Sequence, residues 1–270
     1  MKKKRSKPKA LLSKQWQSES TLSARASDAP EPAEASPTPS PTSAPEPCEG
    51  AGKAPKSVAW VEQPVKLPPD PPPGGDLGLT DWQVTPRLAA SAFCDGEAKQ
   101  FVGRVTTATG QQRQRINPSQ FAMTNASIEA ANCGVLLAMW GALDRLWNDP
   151  APPGHAYTPR DVIQAHEDVH KTLATAYTLT LANAYIASVD ALSASCRDGD
   201  KTITDGIAEA QRRFNLDFAA EELLNMTHKP PNLFINAHRR AAKPWLEKIR
   251  AEMVKKNCPN TPNMPPDLPL

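Results

Sequence analysis

Long apolar runs are missing from this chain, and their absence limits the classes of protein to which it can belong. The longest apolar window, residues 134–140, is too short to cross a membrane, so no transmembrane span is expected. No Sec signal peptide is expected either, because the apolar residues 10–12 are followed at once by the polar residues 13–15. We therefore expect a cytoplasmic protein, unless a signal-independent route exports it.

Cysteine pairs with C-x-x-C spacing are also absent. The five cysteines stand far apart in the sequence, which argues against a structural cysteine–zinc site and a thioredoxin-like motif. Cys48 lies in a proline-rich stretch. The other cysteines can form two disulfides in an oxidising compartment or remain buried thiols in the cytosol, and their spacing is compatible with both outcomes: Cys94, Cys133, Cys196 and Cys258.

The N-terminal region differs in composition from the rest of the chain. About half of the 29 prolines precede residue 75, with alanine, serine, glutamate and threonine between them. Such a segment has too little apolar side chain to bury, so residues 1–75 are predicted to form a disordered, basic, proline-rich arm. The arm is expected to act as a solubilising spacer. The alternative is that its proline-rich part binds a partner protein. No specific binding to nucleic acid is expected.

Residues 76–258 are predicted to form one mainly α-helical domain of the α+β class. Pro244 is expected to kink or split the last helix of this domain. A weak hairpin over residues 101–107, with a turn at Gly110, indicates at most a small sheet. Residues 259–270 are predicted to form a disordered tail. Apolar residues recur at helical spacing at about residues 127–147, 157–194, 205–226 and 232–256.

The stretch with a recognisable chemistry is His-Glu-Asp-Val-His at residues 166–170. In an α-helix, residues i and i+4 lie on one face, so His166 and His170 can bind a single Zn²⁺ while Glu167 lies beside a water molecule. A helix is predicted here because Thr158 can cap it, Pro159 suits its first turn, and no glycine or proline follows until residue 199. The alternative is a helix with two partly buried histidines and no metal.

These five residues resemble the HExxH signature of the zincin metallopeptidases. The subclass of metzincins is excluded, because Leu173 and Ala176 stand where its glycine and third histidine would lie. The stretch is also similar to HExxH domains of bacterial secreted proteins and toxins. The resemblance implies a helical zincin-like domain with Zn²⁺ as cofactor, and Glu167 as general base in amide-bond hydrolysis. The implied substrate is a protein or peptide, including a peptidoglycan stem peptide.

Catalytic zinc usually has three protein ligands, so a third ligand is needed beside the two histidines of the motif. His238 is predicted for this role, because the apolar residues Phe234, Ala241, Trp245 and Ile249 recur around it at helical spacing and place it on the buried side of its helix. His228, Glu221 and Glu222 remain alternatives.

A second function is compatible with the same sequence. A non-catalytic helical protein for binding or delivery would use the proline-rich arm to connect its domain to a larger assembly. Near-stoichiometric bound zinc would support the enzyme, and the absence of zinc even after reconstitution would exclude it, since catalysis requires the metal.

Overall fold

A computed structural model of the protein describes residues 48, 50–65, 83–113, 123–150, 157–197 and 199–266. Five α-helices and four β-strands occur in this part of the chain. The fold is therefore mainly α-helical with a small sheet, which confirms the fold class predicted from the sequence. Among the same residues, no helix combines the length and hydropathy that crossing a membrane requires.

The elements follow one another along the chain with the strands mostly first. The strands are β1 (Val61–Val65), β2 (Gln83–Asp95), β3 (Gln100–Arg113) and, between two helices, β4 (Ser193–Ser195). The helices are α1 (Asn125–Ala130), α2 (Cys133–Arg145), α3 (Arg160–Asp190), α4 (Gly199–Met226) and α5 (Pro231–Lys255). Pro244 lies inside α5 without dividing it into two helices.

Strand β3 is the central strand of the sheet. It pairs antiparallel with β2 and β4 and parallel with β1. The hairpin of β2 and β3 is longer than predicted, and its turn lies at residues 96–99 rather than at Gly110. Asp95 stabilises this turn, because its Oδ1 accepts hydrogen bonds from the backbone N–H groups of Glu97 and Ala98. Gly110 instead lies within β3, where an added Cβ would collide with the Trp60 ring.

The predicted boundary at residue 76 is wrong for residues 48 and 50–65, which belong to the folded part. Backbone hydrogen bonds hold this segment to the hairpin: Gly96 N–H donates to the Gly52 carbonyl at 3.0 Å, and Val58 N–H donates to the Val105 carbonyl at 3.0 Å. Such bonds need no apolar side chain, so composition does not reveal them. Residues 1–47, 49 and 66–75 of the predicted arm lie outside the described residues.

The C-terminal segment also departs from the prediction. Residues 259–266 contain no helix or strand, yet Met264 packs against the hydrophobic core. The carbonyl oxygen of Pro262 accepts a hydrogen bond from Arg250 Nε at 3.3 Å. A disordered tail is therefore wrong for this segment, whereas residues 267–270 lie outside the described residues.

The hydrophobic side chains form two separate clusters, and α3 contributes to both. The helical core includes Val162 at the start of α3 together with buried residues of α1, α2 and α5. The sheet core includes Tyr185 and Val189 near the end of α3, with residues of β3 and with Phe214 of α4. Since α3 has 31 residues, it extends over about 46 Å. The motif at residues 166–170 lies in its first half.

Candidate metal centre

The two histidines of the motif lie on the buried side of α3. His166 is 1% exposed and His170 is 6% exposed, and their ring centroids are 4.8 Å apart. Glu167 is buried as well. Consecutive residues of an α-helix are rotated by about 100° about the helix axis, because one turn has 3.6 residues. The Glu167 side chain therefore projects from α3 on the face next to that of the two histidines.

His228 reaches the same place from the end of α4. The helix ends in a Schellman motif, in which His228 N–H donates to the Asn225 carbonyl at 3.0 Å and Lys229 N–H donates to the Leu224 carbonyl at 2.9 Å. His228 occupies the left-handed position of this motif with φ 56, which histidine adopts more often than most residues with a Cβ atom. Its ring centroid lies 5.1 Å from those of His166 and His170.

His166, His170 and His228 form the group that we call the histidine cluster. One ring nitrogen from each of them lies within 4.8 Å of the others. Phe234, at the start of α5, is fully buried against the cluster, with ring centroids 5.2, 4.7 and 5.0 Å from the three imidazoles in that order. The cluster therefore has an apolar wall on the side of α5.

His238, which the sequence predicts as the third metal ligand, lies outside the cluster. Its Nε2 lies 2.9 Å from Nδ1 of His166, and its Nδ1 lies 3.1 Å from the carbonyl oxygen of Asp149. Both ring nitrogens are thus occupied by hydrogen bonds behind the His166 ring. The physical reason is that the turn of α5 that carries His238 faces Nδ1 of His166, whereas His170 faces Nε2 of the same ring. His228, which remained an alternative from the sequence, supplies the third ring of the cluster.

Glu221 and Glu222, which the sequence also allows as third ligands, lie outside the cluster. Glu221 is exposed and lines a cavity of about 500 Å³. Glu222 is partly buried, and burial raises the pKa of its carboxyl group. Neither carboxylate therefore contributes to the histidine cluster.

The hydrogen bonds determine where each ring carries its proton. A carbonyl oxygen only accepts, so Nδ1–H of His238 donates to Asp149 and its Nε2 accepts from Nδ1–H of His166. Asn225 is oriented in the same way, because its amide donates to the His170 carbonyl at 3.0 Å. Its Oδ1 therefore accepts from Nδ1–H of His170 at 2.9 Å. Neutral His166 and His170 thus both present Nε2 as an acceptor.

These two acceptors point at one another. The Nε2 atoms of His166 and His170 are 3.1 Å apart. Burial lowers the pKa of His166 to about 2 and that of His170 to about 4, so at neutral pH both rings are uncharged. Two lone pairs at this distance repel each other unless a positively charged group interacts with both.

A divalent metal ion fits this arrangement of donors. Neutral imidazoles are the most common metal ligands, and three of them suit zinc, copper, iron and nickel. Two nitrogens bound to tetrahedral zinc at about 2.0 to 2.1 Å are about 3.3 to 3.4 Å apart, close to the observed 3.1 Å. The second ring nitrogens of His166 and His170 already donate to His238 and Asn225, as the outer hydrogen bonds of metal-binding histidines commonly do.

Asn225 has no part in the sequence-based hypothesis, yet it orients His170. Phe234 enters that hypothesis only as a member of an apolar stripe, yet it forms the apolar wall of the cluster. A signal for Asn225 exists in the sequence: asparagine is unfavourable inside a helix, and it stands three residues before His228. Nothing local distinguishes Phe234 from an ordinary core residue.

Comparison with known proteins does not assign a family or a function to this chain. No family model, no curated protein and no solved structure matches this chain. The likeness to the zincins therefore depends on the five residues of the motif and on the chemistry of the cluster around them.

Proposed function

We propose that this protein is a zinc-dependent hydrolase that cleaves amide bonds in a protein or peptide. In this proposal His166, His170 and His228 hold the zinc ion, and Glu167 is the general base. The observation that carries it is the pair of Nε2 acceptors 3.1 Å apart, each held in one tautomer by a hydrogen bond on the other side of its ring. Two buried acceptors that face each other are favourable when both bind one cation and unfavourable when no cation is present.

The protein side chains have distinct roles in the proposed reaction. A bound zinc ion supplies the Lewis acidity that polarises a carbonyl group and acidifies water. Glu167 accepts the proton from the attacking water and later donates it to the leaving amine. His238 and Asn225 keep the rings of His166 and His170 in the tautomer that presents Nε2. A peptidoglycan stem peptide belongs to the same substrate class as a protein, since both contain amide bonds.

Metal analysis of the full-length protein tests the ligand set. We expect one zinc ion per chain after purification or reconstitution, measured by inductively coupled plasma mass spectrometry. His166→Ala should lose the metal, whereas Glu221→Gln, on an exposed glutamate of the same region, should retain it. The proposal is wrong if the protein binds no zinc, or if His166→Ala binds it as well as the unmodified chain.

A peptide library tests the reaction. Cleavage products should appear with the zinc-loaded protein, and mass spectrometry of the fragments identifies the bond that is cut. Zinc-loaded Glu167→Gln should produce almost none, because the amide cannot take up the proton. Equal cleavage by Glu167→Gln would remove Glu167 from the mechanism.

The low exposure of His166 and His170 favours a second candidate, a helical binding or delivery protein in which the metal is structural. A structural zinc ion has four protein ligands, whereas a catalytic one keeps a position open. Cobalt-substituted protein distinguishes them. Addition of acetohydroxamate should change the visible absorption spectrum if a position is open, and a spectrum that stays unchanged at saturating acetohydroxamate would favour the structural metal.

A further inference from the structure

Three cysteines meet at the turn of the β2–β3 hairpin and form a group separate from the histidine cluster. Cys48 and Cys94 form a disulfide, and Cys196 is a buried free thiol. All three sulfur atoms lie within 4.8 Å of one another. The third sulfur is therefore next to a disulfide that it could attack.

Strand pairing brings these residues together. Cys94, near the end of β2, pairs with Phe101 of β3, and Phe101 pairs with Ala194 of β4. Cys196 follows β4, and its Sγ–H donates to the carbonyl oxygen of Lys99 at 3.1 Å. Cys48 belongs to the segment before β1. This segment is bound to the hairpin turn by the hydrogen bond from Gly96 N–H to the Gly52 carbonyl.

The other disulfide provides a contrast within the same chain. Cys133, at the start of α2, forms a disulfide with Cys258, which follows the end of α5. Among the described residues, no third cysteine forms a cluster with these two. One disulfide thus has a thiol neighbour and the other has none. Any difference in their behaviour under the same conditions reports on that neighbour.

We infer that Cys48, Cys94 and Cys196 form an internal thiol–disulfide exchange site. The thiolate of Cys196 attacks Sγ of Cys94, so that a bond forms between Cys196 and Cys94 while the bond between Cys94 and Cys48 breaks. The electron pair of the broken bond leaves on Sγ of Cys48, which takes up the proton that Cys196 released. One disulfide and one thiol are present before and after, so the step needs no oxidant or reductant.

The exchange moves the free thiol from Cys196 to Cys48. The backbone hydrogen bonds of Gly52 and Val58 do not depend on the disulfide, so the segment that follows Cys48 stays on the sheet. Cys48 is 3% exposed while it is bonded to Cys94. Breaking that bond removes the covalent link that holds Cys48 there, so an alkylating reagent can then reach its thiol. The site thereby controls whether this end of the segment is covalently attached to β2.

Peptide mapping of single variants tests the exchange. Cys48→Ser and Cys94→Ser are oxidised in a buffer of reduced and oxidised glutathione, treated with N-ethylmaleimide in denaturant and digested. We expect a disulfide between Cys94 and Cys196 in the first variant and between Cys48 and Cys196 in the second. The disulfide of Cys133 and Cys258 shows in each sample that the buffer was oxidising. Alkylated Cys94 and Cys196 in Cys48→Ser, with that control disulfide intact, would overturn the inference.

A measurement on the unmodified protein does not depend on the folding of any variant. The native, oxidised chain is incubated with N-ethylmaleimide, which traps whichever thiol becomes accessible. We expect alkylated Cys48 together with a new disulfide between Cys94 and Cys196. Alkylation of Cys196 alone, with the original disulfide retained, would show that no exchange takes place.

Discussion

The histidine cluster and the sheet core use the same helix in opposite ways. In the first half of α3 the buried side carries His166, Glu167 and His170, whereas in the second half it carries residues such as Tyr185 and Val189. The sheet core needs only close packing of apolar groups. The cluster needs a hydrogen-bond partner or a ligand for each buried nitrogen, because a polar group removed from water without one is costly.

The stability of the sheet core does not depend on a ligand, whereas that of the histidine cluster does. Packing around Phe214 contributes equally whether or not a metal is present. The facing acceptors of His166 and His170 are favourable only when a cation interacts with both. We therefore expect zinc to stabilise the cluster and to leave the sheet core unchanged.

The largest expected effect follows from His228→Asn, which removes the third ring of the cluster. Asparagine also adopts left-handed φ values, so the end of α4 should keep its shape. Zinc at a thousandfold excess over its Kd stabilises a protein by about 4 kcal/mol, and the variant should lose nearly all of this gain. Thermal unfolding with and without zinc measures it. A full zinc-dependent rise in Tm in the variant would contradict the assignment of His228, and Glu221→Gln is the control that should keep the rise.

Glu167→Gln comes next and separates chemistry from metal binding within the cluster. Removing a general base lowers kcat by about 10²- to 10⁴-fold, while the zinc content should stay at one ion per chain because Glu167 is not a ligand in our proposal. Peptide cleavage and metal analysis of the same sample check both. Loss of zinc in this variant would mean that Glu167 holds the site together.

Phe214→Ala perturbs the opposite end of α3. Phe214 is buried in the sheet core, with the Tyr185 ring at 6.0 Å and the Phe218 ring at 5.8 Å. Loss of a buried phenylalanine costs about 3 to 5 kcal/mol, and chemical denaturation should give the same cost with and without zinc. A cost that changes with zinc would mean that the two regions are coupled through α3.

His238→Ala has the smallest expected effect. It removes the acceptor that fixes the tautomer of His166 without removing a ligand, and loss of such a partner weakens metal affinity by about 10- to 100-fold. Competition with a chromophoric zinc chelator measures the change. His238→Gln retains an acceptor at this position and should recover part of the affinity, which a purely structural role of His238 would not produce.

Local features of the sequence were enough for α3 and its motif. The spacing of His166 and His170 and the absence of helix breakers before residue 199 predict a helix with both rings on one face, which the structure confirms. Apolar periodicity likewise predicts α4 and α5. These predictions succeed because helical hydrogen bonds and side-chain spacing involve residues only a few positions apart.

The third ring of the cluster and the cysteine pairing could not be predicted in this way. His238 lies in α5 and His228 lies just before it. Only the packing of α5 against α3 directs His238 to Nδ1 of His166, while His228 joins His166 and His170 in the cluster. In the same way, the pairing of Cys48 with Cys94 depends on a segment that backbone hydrogen bonds and the packing of Trp60 hold against a distant part of the chain.

By itself, therefore, the sequence determined the mainly helical class, the long helix and the two histidines on its buried face. Only the tertiary structure decided which distant residues complete the site, where the folded part begins and which cysteine stays reduced. The physical reason is the range of the interactions. Periodicity and capping act within a few residues, whereas a metal ligand, a disulfide or a strand pair joins residues whose separation along the chain carries no information about their distance in space.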